Sequence, residues 1–294
     1  MSLEQDLENM TTNELLKCGR EELLRVGIEE AQEECERMLM HLLSYERSEL
    51  YLKIEEKVGA EISECFMALL QERKKRIPLA YLLREADFWQ ETLYVTEQCL
   101  VPRPETEILV ENILKMIQEQ KKEKFSFLDI GTGSGAIAVA VLHACEEARG
   151  TLLDVSTGAL DIARENVKKY ALEDRAELVR GDLFEPFQAN DMWDVIVSNP
   201  PYLALEDWEQ VQPELKFEPR EALDGGKDGL DFYRRIILEA KNHLVPGGMV
   251  ALEVGQGQTE MVSKWLQEAG YDNIQRFKDH LHIERVVIAN KRIS

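Results

Sequence analysis

Three series of apolar residues recur at intervals of three and four in the first quarter of the chain, which is the spacing of one helix face. They are Leu15, Leu16, Leu23 and Leu24; then Met38, Leu39, Leu42 and Leu43; then Ile62, Phe66, Leu69 and Leu70. Thr12 precedes the first series and is a candidate N-cap. Glycine and proline rarely interrupt this region, so we predict a small helical bundle over residues 1–78, with these residues as its core.

The pattern changes after the basic run at residues 73–76. That run suits the solvated C-terminus of a helix, where cations are favoured, although it also offers a contact for an acidic partner. Residues 79–101 lack helical periodicity and carry several large apolar side chains between polar ones, which predicts a hairpin or an extended linker. Pro104 then fits the first turn of a helix that continues through Ile113.

Short apolar runs alternate with helical patterns from residue 125 onward. The runs predict strands at 125–130, 151–155, 176–179, 194–198, 249–254 and 285–289. Between them, helical spacing predicts helices at 136–144, 159–170, 230–244 and 260–269. Strands that alternate with helices form a mostly parallel sheet covered on both faces, so we predict one α/β domain over residues 102–294.

Composition narrows the class of protein. The 294 residues suffice for two ordinary domains, and a hydrophobic fraction of 44% suffices for a core. The formal net charge of −21 disfavours nucleic acid and anionic membranes as partners. Five widely spaced cysteines and the absence of a metal-binding motif predict a reduced protein without a metal site. Residues 1–10 lack the features of a secretory signal and no long apolar run follows, so we expect a cytoplasmic protein.

A glycine-rich segment, Gly131-Thr132-Gly133-Ser134-Gly135, follows the strand predicted at 125–130 and begins a helix. Glycines in this position let the backbone approach a ligand, and the free N–H groups of the helix start attract polar or negative groups. The spacing is G-x-G-x-G, which differs from a dinucleotide fingerprint, and the lysine of a phosphate-binding loop is absent. Asp129, just before the turn, is placed to accept a hydrogen bond from an amine or a backbone N–H.

Acidic residues follow the next two predicted strands. Asp154 lies about 20 residues beyond the glycines, where an adenosine ribose is held by its hydroxyls. The alternative role for Asp154 is to cap the next helix, which Ser156 or Thr157 can do instead. Asp182 is placed to bond an adenine amino group with Leu183 packed on the ring, although a turn after Gly181 explains Asp182 almost as well.

The segment Asn199-Pro200-Pro201-Tyr202 follows the strand predicted at 194–198. Two prolines remove two N–H donors and leave acceptors, namely the Asn199 side-chain oxygen and the Pro200 carbonyl. Two acceptors can hold both hydrogens of a planar –NH2 group in line with an electrophilic methyl and stabilise the charge that develops on nitrogen. The ring of Tyr202 can cover the planar group. We therefore assign a catalytic role to Asn199, Pro200 and Tyr202.

These two motifs together resemble class I amino-methyltransferases, and the chain is most similar to the HemK/PrmC family of peptide chain release factor glutamine N5-methyltransferases. The similarity extends over essentially the whole chain. It includes the helical region and the segments 78–81, 101–107, 217–220, 222–226, 228–231 and 252–255. Arg84 and His282-Ile283 depart from the family pattern, which usually has Gly and Gly-Arg at these places.

The resemblance implies a seven-stranded Rossmann-like sheet behind a small helical domain that helps to hold a release factor. It implies S-adenosylmethionine as cofactor and S-adenosylhomocysteine as product, with Gly131 to Gly135, Asp154 and Leu183 lining the cofactor pocket. It also implies that Asn199 to Tyr202 bind the glutamine amide of the Gly-Gly-Gln motif in class-1 release factors. We expect a monomer.

Other functions remain open at this point. The same motifs fit an amino-methyltransferase that acts on nucleic-acid adenine or on a glutamine of a ribosomal protein. The sheet alone also fits a nicotinamide-dependent oxidoreductase, which leaves the N-P-P-Y segment unexplained. A binding module that retains the pocket but has lost catalysis is the third alternative.

Overall fold

The computed structural model describes residues 10–293. Residues 1–9, for which no secretory signal is expected, lie outside the described residues. The chain divides into two compact units. One consists of the chain up to Arg84 together with Pro213–Phe217, and the other of Glu85–Gln212 and Glu218–Ser294. The sequence placed residues 79–101 in a linker, whereas the first unit takes in residues 79–84.

The first unit is helical. Its helices are α1 (Thr12–Arg25), α2 (Ala31–Leu43), α3 (Arg47–Leu52), α4 (Ala60–Lys74) and α5 (Leu79–Leu83). Most of the predicted apolar residues meet in one core that includes Leu15, Leu23, Met38, Leu39, Phe66 and Leu70. The prediction is wrong for Leu24, which is exposed. The prediction of Thr12 as N-cap is wrong by one residue: Thr11 caps α1, and Glu14 completes a capping box.

The basic run at the end of α4 is not a fully solvated helix end. Arg73 is buried, and its guanidinium donates to Glu34 (2.6 and 2.9 Å) and to Glu214 (2.9 Å). Arg76 donates to the same Glu214 at 2.8 Å. The solvated interpretation is therefore wrong for Arg73, because two carboxylates of the same unit pair with its charge.

The second unit begins with a two-stranded hairpin, β1 (Glu85–Phe88) and β2 (Glu91–Tyr94). The helix α6 (Pro104–Glu119) follows, with Pro104 in its first turn as predicted. Alternating elements come next: β3 (Ser126–Ile130), α7 (Ala136–Ala144), β4 (Arg149–Asp154), α8 (Thr157–Lys169), β5 (Ala176–Arg180), β6 (Trp193–Ser198), α9 (Asp231–His243), β7 (Leu244–Glu253), α10 (Thr259–Glu268), β8 (Tyr271–Lys278) and β9 (Glu284–Lys291). Short 3-10 turns at Leu205–Glu209, Pro213–Phe217 and Arg220–Ala222 connect β6 to α9.

Strands β3 to β9 form the predicted seven-stranded sheet, in the order β5-β4-β3-β6-β7-β9-β8. Neighbours among β3 to β7 run parallel, and β9 lies antiparallel between β7 and β8. One buried apolar cluster contains residues of α6, α7 and α8, and a second contains residues of α9 and α10. The fold is thus a mostly parallel sheet covered by helices on both faces, as the sequence predicts.

The strand register explains where a site can form. Ile130 of β3 pairs with Leu153 of β4 and with Ser198 of β6, and Ser198 pairs with Leu252 of β7. The carboxyl ends of these four strands are therefore level with one another. Because β4 and β6 lie on opposite sides of β3, this edge is the point where the strand order reverses, and such points bind ligands in open α/β sheets.

Candidate active site

The glycine-rich turn lies at this edge, between β3 and α7. Gly131, Gly133 and Gly135 have φ values of 71°, 56° and 81°, a region that favours glycine. Two backbone N–H groups at the start of the turn donate to the carbonyl of Leu153, at 2.8 and 2.9 Å. A Cβ atom on Gly131 would meet no heavy atom within 4 Å, so the backbone faces open space there.

Asp129 lies under this turn and is fully buried. Its Oδ2 accepts from the Thr132 hydroxyl at 2.6 Å, and Oδ1 has no hydrogen-bond partner among the described residues. Burial raises the pKa of Asp129 to about 7, and the hydroxyl of Thr132 partly opposes the shift. Asp129 therefore supports the turn from below through Thr132.

Asp154 joins the end of β4 to the glycine-rich turn. Its Oδ2 accepts from the backbone N–H of Gly133 and its Oδ1 from that of Ser156, both at 2.9 Å. Burial raises the pKa of this carboxyl. Ser156 is the N-cap of α8, since its side chain accepts from the N–H of Ala159. The capping role considered for Asp154 thus belongs to Ser156.

A cavity opens above these residues. Its walls bring together most of the residues predicted to bind the cofactor, namely Gly131, Gly133, Asp154, Asp182, Leu183 and Asn199. Asp182 also pairs with Arg235 at 2.7 Å. Thr132, Ser134 and Gly135 are not among the lining residues, because the Thr132 side chain bonds Asp129 and the Ser134 carbonyl accepts from Asn166.

The Asn199–Tyr202 segment begins where β6 ends, and Asn199, Pro200 and Pro201 line the same cavity. The amide nitrogen of the Asn199 side chain donates to the hydroxyl of Thr106 in α6 at 3.1 Å. Among the described residues, none donates to the Asn199 oxygen Oδ1. An acceptor is therefore available beside the cavity.

Thr106 in turn donates to Oε2 of Glu253 at 2.6 Å. Glu253 ends β7 and is 1% exposed, and burial raises its pKa to about 7. The sequence left the role of Glu253 undecided and did not single out Thr106. One feature of the sequence could have indicated a role for Glu253: it lies at the carboxyl end of a predicted strand, level with Asn199.

The outer side of the segment is held by a glycine-rich loop, residues 224–229, and by Gln258. The Gln258 amide donates to the carbonyl oxygens of Tyr202 (2.9 Å) and Gly229 (3.2 Å). A Cβ atom on Gly225 would lie 2.8 Å from the Pro201 carbonyl oxygen, and one on Gly229 would lie 2.3 Å from that of Tyr202. Only glycine allows this approach. Burial raises the pKa of Tyr202 to about 12, so its phenol stays neutral.

A further contact that the sequence did not reveal ties together two distant segments. Glu218 is buried, accepts from the N–H of Val101 at 3.1 Å and forms an ion pair with Arg103. These residues are more than 110 positions apart, so no local pattern indicates the pair. The contact fixes the start of α6, and hence Thr106.

Comparison with known proteins decides the family. Residues 14–83 match the model of the PrmC N-terminal domain, and residues 104–226 match that of the Methyltransferase small domain. The chain is 37% identical to the release factor glutamine methyltransferase of Geobacter sulfurreducens, over 95% of this chain and 96% of that protein. The chain belongs to the release factor glutamine methyltransferase family. The Caulobacter vibrioides relative is 36% identical, over 93% of this chain and 94% of the relative.

A solved structure supports the fold. The crystal structure of a methyltransferase from Pyrococcus furiosus matches with a TM-score of 0.51 and 21% identity, over 68% of this chain and 89% of that chain.

Membership of the release factor glutamine methyltransferase family identifies the chain as a methyltransferase and excludes the nicotinamide-dependent oxidoreductase. No helix within residues 10–293 is long and apolar enough to cross a membrane.

The two departures from the family pattern lie at left-handed backbone positions. Arg84 has φ 58° at the end of α5, and His282 has φ 63° in the turn between β8 and β9. Asp279 holds that turn by accepting from the N–H groups of Leu281 and Ile283, both at 2.9 Å. Two non-glycine residues therefore adopt a conformation that glycine adopts more easily.

Proposed function

We propose that the chain transfers a methyl group from S-adenosylmethionine to the side-chain amide nitrogen, N5, of the glutamine in the Gly-Gly-Gln motif of class-1 peptide chain release factors. The observation that carries the proposal is the Asn199 amide, whose nitrogen is bonded to Thr106 while its oxygen is left to accept beside the cavity. The name of the relatives supports the release factor as the substrate.

The residues around the cavity fit this cofactor. The open space above Gly131 admits a ligand against the backbone, and Asp154 offers a carboxylate for ribose hydroxyls beside it. Asp182 and Leu183 are proposed to hold the adenine, and Thr132, Ser134 and Gly135 to shape the turn. When bound, S-adenosylmethionine supplies an electrophilic methyl group and leaves as S-adenosylhomocysteine.

The substrate amide is held by acceptors. In the proposed arrangement, Asn199 Oδ1 and the Pro200 carbonyl accept the two hydrogens of the glutamine –NH2 group, and the ring of Tyr202 covers its planar face. This orients the weakly nucleophilic nitrogen toward the methyl group. The same two oxygens stabilise the positive charge that develops on nitrogen as the new N–C bond forms. The surplus proton then leaves to water, so no strong base is needed beforehand.

The helical unit has no part in the methyl-transfer site as proposed. We infer that the described helices of residues 1–78 recognise the release factor, with 79–101 as the connecting segment and 102–294 as the methyltransferase domain. The acidic charge of −21 agrees with a protein partner and with no direct contact to nucleic acid. Because such a substrate takes part in translation, we place the protein in the cytoplasm. We also propose that it is a monomer.

Replacement of Asn199 tests the proposed function. Asn199→Ala removes one acceptor, so we expect transfer of tritiated methyl groups to a purified release factor to fall roughly 10²-fold or more. The dissociation constant of the cofactor, measured by calorimetry, should change little. Asn290→Ala is the control, because Asn290 lies on β9 opposite Met249, at the other end of the β7–β9 pairing from Glu253. Near-normal turnover of Asn199→Ala would contradict the role of this amide.

A further inference from the structure

Three polar side chains form a short chain of hydrogen bonds behind the Asn199 amide. Glu253 of β7 accepts from the Thr106 hydroxyl at 2.6 Å, and that hydroxyl accepts from the Asn199 nitrogen Nδ2 at 3.1 Å. Thr106 and Glu253 are both buried, at 5% and 1% exposure. They do not line the cavity, so they act on a substrate only through Asn199.

The donors and acceptors in this chain have a fixed direction. A hydroxyl has one hydrogen, and a carboxylate can only accept. While Glu253 is ionised, the Thr106 hydrogen is committed to it, and Thr106 can offer Asn199 only a lone pair. Asn199 must therefore turn Nδ2 toward Thr106, which leaves Oδ1 toward the cavity.

We infer that Glu253, acting through the Thr106 hydroxyl, is a positioning residue that sets the orientation of the Asn199 side-chain amide. The inference rests on the proposed function, because Glu253 fixes the orientation of Asn199, and Asn199 is the proposed acceptor for the substrate amide. A rotated Asn199 amide would present Nδ2 to the substrate –NH2 group, and two donors would face each other. Hydrogen bonding of the substrate –NH2 group by Asn199 Oδ1 therefore requires the amide orientation that the ionised Glu253 carboxylate imposes.

The orientation of the Asn199 amide should depend on pH. A protonated Glu253 can donate to Thr106, whose hydroxyl hydrogen is then free to point at Asn199 and favour the rotated amide. Burial raises the pKa of Glu253 to about 7, so the change falls within the working range of an assay. Between pH 6 and pH 8 the ionised fraction rises about tenfold for such a pKa, and transfer should rise with it.

The other ionisable groups around Glu253 come from four neighbouring segments. Arg103 and Glu105 flank the start of α6, and Arg285 lies at the start of β9. Tyr233 of α9 donates to the backbone oxygen of Glu253 at 3.0 Å, and Tyr202 follows the two prolines. Burial raises the pKa of both tyrosines, so they stay neutral between pH 6 and pH 8. Because several ionisable groups surround Glu253, a variant of Glu253 is needed to assign the pH dependence of transfer to this carboxyl.

Variants of Thr106 test the hydroxyl. In transfer to a purified release factor at pH 8, Thr106→Val should lower kcat by about tenfold or more, since a poorly oriented group costs up to ~10²-fold. The dissociation constant of S-adenosylmethionine should stay within about twofold. Thr106→Ser keeps the hydroxyl and should recover most of kcat. Thr151→Val is the matched control, because Thr151 is a buried threonine that accepts from Trp193 at 3.2 Å and does not line the cavity.

A variant of Glu253 tests the charge. Glu253→Gln keeps the size of the side chain and removes its titration, so the rise in kcat between pH 6 and pH 8 should disappear. As a readout that does not depend on turnover, the side-chain amide resonance of Asn199 in protein labelled with 15N-asparagine should titrate near pH 7 in the wild type. In Glu253→Gln it should not titrate.

The outcomes separate the two claims. Wild-type protein that transfers no methyl group to the release factor would contradict the proposed function itself. Wild-type transfer with an unchanged kcat in Thr106→Val, or with the same pH profile and the same Asn199 titration in Glu253→Gln, would overturn the positioning role alone. If Thr106→Val does not fold, the Glu253→Gln profile and the Asn199 resonance still decide the question.

Discussion

Gly229 offers a direct test of how far the Asn199–Tyr202 segment can move. A Cβ atom at this position would lie 2.3 Å from the carbonyl oxygen of Tyr202 and 2.7 Å from the Gln258 amide nitrogen. A carbon and an oxygen that are not bonded need more than ~3 Å, so in Gly229→Ala the alanine Cβ and the Tyr202 carbonyl oxygen must move apart by about 0.7 Å or more. A displacement of that size at a substrate-positioning group costs up to ~10²-fold in rate.

The assay compares Gly229→Ala with Gly257→Ala. Both glycines have positive φ, 73° and 84°, so each alanine should cost about 1–2 kcal/mol in the free energy of unfolding. A Cβ atom on Gly257, however, meets nothing within 4 Å. With saturating S-adenosylmethionine, kcat for a release factor should fall by roughly 10²-fold in Gly229→Ala and little in Gly257→Ala. Equal kcat values for the two variants, at equal loss of thermal stability, would refute the reasoning.

Asp154, Arg73 and Asp129 can each be tested by a single substitution. Asp154→Ala removes the carboxylate that accepts from Gly133 and Ser156, so the dissociation constant of S-adenosylmethionine measured by calorimetry should rise by roughly tenfold or more; an unchanged constant would count against ribose binding. Arg73→Ala leaves Glu34 and Glu214 without their buried partner and should lower the free energy of unfolding in urea by about 3 kcal/mol, whereas Lys75→Ala at an exposed pair should change it little; equal effects would contradict the buried network. Burial raises the pKa of Asp129 to about 7, so between about pH 4 and pH 7 the folded state keeps a proton that the unfolded state loses. The contribution of this carboxyl to stability is therefore fully present below about pH 4 and is lost as the pH rises to about 7. The melting temperature of the wild type should therefore fall relative to Asp129→Asn over this range, and parallel curves would contradict the burial effect.

Local patterns predicted most of the second unit. Apolar runs located β3 to β7 and β9, and helical spacing located the helices between them. Most side chains of these strands are buried on both faces of the sheet, with the edge strand β5 as the exception. Strand β8 was missed: its sequence, Tyr271–Lys278, is largely polar, and its one neighbour in the sheet is β9. The 3-10 turns between residues 205 and 222 were missed as well, since such short turns have no repeating apolar pattern.

The candidate site shows the same limit. Motifs within a few residues, such as Gly131–Gly135 and Asn199–Tyr202, could be recognised from the sequence because their chemistry is local. The bond between Thr106 and Glu253 joins residues 147 positions apart, and it exists only because α6 packs beside the end of β7. The role of Gly229 likewise depends on the approach of another loop. Contacts of this kind require the folded structure.

The central claim is methyl transfer to one glutamine, and mass spectrometry of the substrate tests it most directly. A purified class-1 release factor is incubated with the protein and isotope-labelled S-adenosylmethionine, then digested and sequenced by fragmentation. The account predicts one labelled methyl group on the glutamine of the Gly-Gly-Gln peptide, and roughly 10²-fold less label with Asn199→Ala. An unlabelled glutamine in the presence of wild-type protein, or label found on nucleic acid or on another protein instead, would contradict it.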